Sequence, residues 1–108
     1  MIDQAIISRA VELLREAAPG ATIILFGSHA RADADKDSDL DFLVIEPEVA
    51  NRFAETLRLS DVLRPLHVPI DVVVTSQDDF DYWAETPGTL YYEAVVEGKV
   101  FEAVPRTG

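Results

Sequence analysis

Three aspartates have the types and spacing to do chemistry: Asp39 and Asp41 within Ser38-Asp39-Leu40-Asp41, and Asp71 further on. The first two flank a single residue and lead into Phe42-Leu43-Val44-Ile45, an apolar run that reads as a buried strand. Side chains alternate faces along a strand, so both carboxylates point the same way. Asp71 lies inside a second such run, between Ile70 and Val72. Side-by-side carboxylates repel and are costly to desolvate unless a cation lies between them. Hard oxygen donors suit magnesium, and three acids aligned on neighbouring strands could hold two ions about 3.5–4 Å apart. The competing reading pairs the acids with Arg31, Arg58 or Arg64 as plain salt bridges.

The acids stand in an alternating series, Asp33, Asp35, Asp37, Asp39, Asp41, which invites comparison with an EF-hand calcium loop. Counted from Asp33, position six is Ser38 where glycine is needed, and position twelve is Val44 where glutamate is needed. Counted from Asp35, Glu46 fits position twelve, but position six is Leu40. Neither register works. Asp33, Asp35 and Asp37 are therefore read as a solvated loop, separate from the pair that follows.

Upstream, Gly27-Ser28 closes the β-branched run Thr22-Ile23-Ile24-Leu25-Phe26. Glycine allows a tight bend and close backbone approach, exposed amides favour an anion, and the Ser28 hydroxyl can donate to a phosphate oxygen. A Walker A loop is excluded, because Gly-Lys-Ser/Thr is absent.

These residues need elements to hold them. Residues 3–18 read as an amphipathic helix with Ile6, Ala10, Leu13, Leu14 and Ala17 on one face, Asp3 as N-cap and Pro19-Gly20 as stop. Thr22–Phe26 is a strand, Ser28–Ala32 a short helix or turn, and Leu40–Ile45 a second strand. Residues 50–63 form a helix expected to bury Ala50, Phe53, Ala54, Leu57 and Val62. Ile70–Val74 is a third strand. A helix capped by Ser76 follows, then one over Thr89–Glu97, and Val100-Phe101 packs at the end. Tyr82, Trp83, Tyr91 and Tyr92 suit core packing better than base stacking. The alternation implies an α/β (or α+β) domain with one small sheet and helices against it, spanning 1–108 as a single domain.

Composition narrows the partners. The chain has 108 residues, 48% hydrophobic, with no cysteine and a formal net charge of −11. That charge argues against broad nucleic-acid binding and favours a small nucleotide held through metal. No run reaches the roughly 20 apolar residues of a membrane span. The N-terminus lacks the basic region of a secretory signal. The absence of cysteine excludes disulfides and thiol catalysis, and fits the cytoplasm.

Taken in order, Gly27-Ser28-His29-Ala30-Arg31, Ser38-Asp39-Leu40-Asp41 and Asp71 resemble the nucleotidyltransferase superfamily of DNA polymerase β. The length and the Gly-Ser-x-Ala-Arg form resemble its minimal nucleotidyltransferase (MNT) members. One departure is Ala32, where the family usually has glycine. The resemblance implies a small mixed sheet with helices packed against it. It further implies Gly27, Ser28 and Arg31 at the triphosphate of ATP, and Asp39, Asp41 and Asp71 as catalytic ligands of two magnesium ions. Asp71 would also take the proton of the attacking hydroxyl, and pyrophosphate would leave. Arg31 serves equally as a structural salt-bridge partner, and His29 is read as a surface or packing residue. MNT proteins are commonly paired with HEPN-family RNase toxins. The resemblance therefore implies a protein adenylyltransferase antitoxin that modifies a tyrosine of its toxin. The acceptor site is expected from that partner or from a second copy of the chain. Two alternatives stand beside it: an antitoxin that only masks its toxin, and an enzyme acting on a small-molecule hydroxyl such as an aminoglycoside's.

Overall fold

The structure, a computed structural model, describes residues 4–31, 34 and 38–101. The expected cap Asp3, the substituted Ala32 and the loop acids Asp33, Asp35 and Asp37 lie outside the described residues. The elements are α1 (Gln4–Ala17), β1 (Thr22–Phe26), α2 (Ser28–Arg31), β2 (Leu40–Glu46), α3 (Arg52–Leu63), a 3-10 turn (Arg64–Leu66), β3 (Ile70–Ser76), α4 (Gln77–Trp83), α5 (Leu90–Glu97) and β4 (Lys99–Phe101). Among the described residues, no helix is long and apolar enough to cross a membrane.

The four strands form one mixed sheet in the order β3-β2-β1-β4. β1 runs antiparallel to β2 and β4, while β2 and β3 are parallel neighbours. Parallel strands need a crossover, and α3 supplies it. Alternation then sorts the side chains into two layers. Ile23, Leu25, Phe42, Val44, Val72 and Val74 face α1 and α3 in the larger core. Ile24, Leu43 and Ile45 face the other way with Ala94, against Phe80 and Tyr91 of α4 and α5. Phe42 is fully buried. The central strand β2 is therefore covered on both faces, which explains its nearly continuous apolar sequence.

Helix ends follow capping chemistry. The side chains of Asn51, Ser76 and Thr89 accept from the backbone N–H of Ala54, Asp79 and Tyr92, respectively. The C-terminal pair Val100-Phe101 belongs to an edge strand, with Ile24 opposite Val100.

Two helix faces differ from expectation. In α1 the buried residues are Ile7, Ala10, Val11 and Leu14, so the face is turned slightly, with Ile6, Leu13 and Ala17 at its margin. In α3 the correction is larger. Leu59 and Leu63 are buried, whereas Phe53 is 74% and Leu57 52% exposed. The helix carries two apolar stripes roughly a third of a turn apart, and a sequence cannot say which one meets the neighbours. Packing against α1 and β3 selects the Leu59–Leu63 stripe. The aromatic residues also divide. Tyr91 packs edge-on to Phe80 with centroids 6.2 Å apart, while Tyr82 and Trp83 are exposed and pack on each other at 4.7 Å.

Candidate active site

Strand register brings the acids together. Asp41 is the Cα partner of Asp71 across the parallel β2–β3 pair, and of Phe26 at the end of β1. Neighbouring strands lie about 4.8 Å apart, so two carboxylates with the same alternation stand abreast. Both share the sheet face of Leu43 and Val73, just beyond the apolar cover from α4 and α5. Asp39 precedes β2 and is exposed, as is Asp71; Asp41 is half-buried.

The charges report this proximity. The Asp41 carboxyl is pushed above its ordinary 3.8 by burial first, then by repulsion from Asp71 and Asp39. His29 and Arg31 pull it the other way, without reversing the shift. Asp41 thus feels four of the residues that the sequence placed near it.

Gly27 closes the site from the β1 side. Its φ is +77°, a left-handed conformation that favours glycine, and its carbonyl accepts from the N–H groups of Ala30 and Arg31 at 3.1 Å each. A Cβ added there would collide with Asp41 Oδ2 and lie 3.3 Å from Asp41 Cγ. The turn that presents Ser28 therefore rests directly on the Asp41 carboxylate.

The cations are arranged differently from the salt-bridge reading. Arg58 binds Glu55 through two hydrogen bonds of 2.7 Å, and Arg64 pairs with Asp61. Arg31 donates to Glu97 at 3.2 Å, tying α2 to α5 while adding positive potential at Asp41. His29 is more than a packing residue: its Nε2 lies 3.2 Å from the Ser38 carbonyl oxygen.

Among the described residues, no three His, Asp or Glu side chains form a ready-made metal cage. The donor set nevertheless fits a hard divalent cation. It offers two carboxylates in register, a third beside them, and a half-buried Asp41 whose charge the other two oppose.

A second acidic cluster, missed in the sequence, lies at the far end of β2. Glu46, Val49, Asn51, Ala54, Glu55 and Arg58 line a cavity of about 340 Å³. With both glutamates charged, the buried Glu46 Oε2 has no donor. Burial and Glu55 push Glu46 up to about 7, and protonated it can donate to Glu55. Glu55, held by Arg58, is pulled well down. The signal was available: Glu46 has the strand alternation of Phe42 and Val44, which points it toward the core side.

The signs give a stability test. A raised Glu46 stabilises the fold fully below about 4.5, and that contribution is lost as pH rises through about 7. The depressed Glu55 contributes above about 4.5 and is lost at more acid pH. Glu46→Gln keeps an N–H donor toward Glu55 without the titration. Its melting temperature should match the wild type at pH 5 and exceed it by a few degrees at pH 8. Equal differences at both pH values would contradict the shared proton.

A family model described as "Nucleotidyltransferase domain" matches residues 7–100. The chain belongs to the nucleotidyltransferase domain family. Two solved structures share its fold. One is a toxin–antitoxin with AMP-PNP, at 23% identity and a TM-score of 0.65, covering 92% of this chain and 72% of that one. The other is a mutant of the toxin–antitoxin MntA-HpeT, at 21% identity and a TM-score of 0.65, covering 96% and 75%. No curated protein is similar enough in sequence to count as a match. As a nucleotidyltransferase, the chain has the expected mixed sheet and helical layers, with Gly27, Asp41 and Asp71 meeting where β1, β2 and β3 converge.

Proposed function

We propose that this nucleotidyltransferase moves AMP from ATP to a tyrosine hydroxyl of a HEPN-type RNase toxin, and so acts as an antitoxin in the cytoplasm. The observation that carries the reading is the Asp41–Asp71 register with Gly27 seated on Asp41. It supports the reading by setting the Gly27-Ser28 turn against Asp41, which is level with Asp71. The family assignment supports the transfer chemistry, and the fold shared with two toxin–antitoxin structures supports the context. We read residues 1–108 as one nucleotidyltransferase domain, with the acceptor brought by the partner.

Each residue then has a task. Gly27 amide and Ser28 hydroxyl hold the triphosphate, and Arg31 adds charge against it. Asp39 and Asp41 would hold the magnesium ions, and Asp71 would hold the catalytic one. Magnesium, when bound, supplies positive charge at the phosphates and lowers the pKa of the attacking hydroxyl. The tyrosine oxygen attacks the α-phosphorus, forming a P–O ester as the bond to the β-phosphate breaks. Asp71 takes the tyrosine proton, and pyrophosphate leaves with the electron pair of the broken bond.

Incubating the chain with ATP, magnesium and the HEPN-type partner should add one AMP to a partner tyrosine, read by intact mass and peptide mapping. A partner left unmodified would sink the proposal.

A further inference from the structure

Register fixes Asp41 and Asp71, but Asp39 lies before the ladder and is exposed. Its position depends on the peptide that precedes it. On the downstream side, Leu40 N–H donates to Pro69 O at 3.0 Å, anchoring the start of β2 to the start of β3. On the upstream side, the Ser38 carbonyl meets His29 Nε2 at 3.2 Å in a part-buried contact. A carbonyl can only accept, so this bond requires the proton on Nε2. It joins residues nine apart and ties α2, which carries Ser28, to the residue adjoining Asp39.

We propose that His29 is a positioning residue: by holding the Ser38 carbonyl it fixes the peptide plane before Asp39, and so sets the Asp39 carboxylate beside Asp41. The inference rests on Asp39 and Asp41 being metal ligands. It deepens that reading by naming what aims the ligand the sheet leaves unfixed. Outer partners that orient a ligand typically change metal affinity 10–100-fold when removed. The role needs only the Nε2–H donor, and no change in the charge of His29.

The test compares Mn²⁺ affinity, measured by calorimetry or electron paramagnetic resonance, with the melting temperature of the metal-free protein. His29→Phe keeps aromatic bulk but removes the donor, and should weaken Mn²⁺ roughly tenfold while the metal-free melting temperature changes little. His29→Gln offers an amide N–H near the Nε2 position and should recover most of the loss. Adding His29→Phe to Asp39→Asn should cost no further affinity, because the histidine acts through that carboxylate. Wild-type affinity in the Phe variant, or a Gln variant as weak as Phe, would overturn the role of His29 alone. A wild-type chain with no Mn²⁺ affinity would overturn the metal reading and this inference with it.

Discussion

Asp41→Asn is expected to remove nucleotidyl transfer by about 10³-fold or more, while the metal-free protein becomes no less stable. The loss follows from the several kcal/mol that a bound metal contributes to stabilising transition-state charge, at about 1.4 kcal/mol per tenfold. The stability has the opposite sign. Asp41 titrates above its ordinary 3.8 because burial, Asp71 and Asp39 oppose its charge. Its contribution is therefore full below about 3.8 and lost as pH rises through the folded value. At neutral pH the charged side chain works against the fold, and asparagine of nearly the same shape removes that opposition. The melting temperature of Asp41→Asn should equal or exceed the wild type at pH 7, with the advantage shrinking toward pH 3. A general folding defect would lower activity and stability together, so opposite movement marks a functional carboxylate. In cells the same variant should fail to neutralise the proposed toxin partner; full neutralisation would point to masking without chemistry.

The second large effect is expected from Gly27→Ala. Left-handed backbone costs a non-glycine residue about 1–2 kcal/mol. Here the new Cβ would also strike Asp41 Oδ2. Gly20 provides the control, because its φ is +95° yet nothing lies within 4 Å of a Cβ built there. Gly20→Ala should carry the backbone cost alone, while Gly27→Ala adds the collision. Together these effects predict a destabilisation of about 2–3 kcal/mol for Gly27→Ala, or roughly 10 °C or more in melting temperature. Combining it with Asp41→Ala, which deletes the struck oxygen, should restore part of the stability. Additive losses in that double variant would show that the contact contributes nothing. Transfer should fall with Gly27→Ala and stay near wild type with Gly20→Ala.

Much of this fold could be read from residue order. Apolar runs with β-branched residues announced β1, β2 and β3, and Ser76 marked a helix start through its capping chemistry, while the cap Thr89 reads in sequence as the first residue of its helix. Alternation put Asp41 on the face it occupies, while Asp39, expected beside it, lies just before β2. Only strand pairing could set Asp71 level with Asp41, because register is a tertiary property. The same limit hid β4, whose three residues gain meaning only beside β1. In α3, Phe53-Leu57 and Leu59-Leu63 are equally plausible inner stripes until α1 and β3 choose between them. His29, read as a surface or packing residue, and Glu46, weighed only as a calcium-loop position, take their roles from tertiary contacts. His29 acts through a single bond to a carbonyl, which leaves no periodic trace, whereas strand alternation does point Glu46 to the core side and only its shared proton is tertiary.

The central claim is that Asp39, Asp41 and Asp71, with Gly27-Ser28, transfer a nucleotidyl group to a protein hydroxyl. The most direct measurement incubates the chain, magnesium and the proposed HEPN-type partner with ATP labelled at either the α- or the γ-phosphate. Label from the α-position should appear on the partner and label from the γ-position should not, with neither transferred by Asp41→Asn. An unlabelled partner, or one carrying the γ-label, would contradict it.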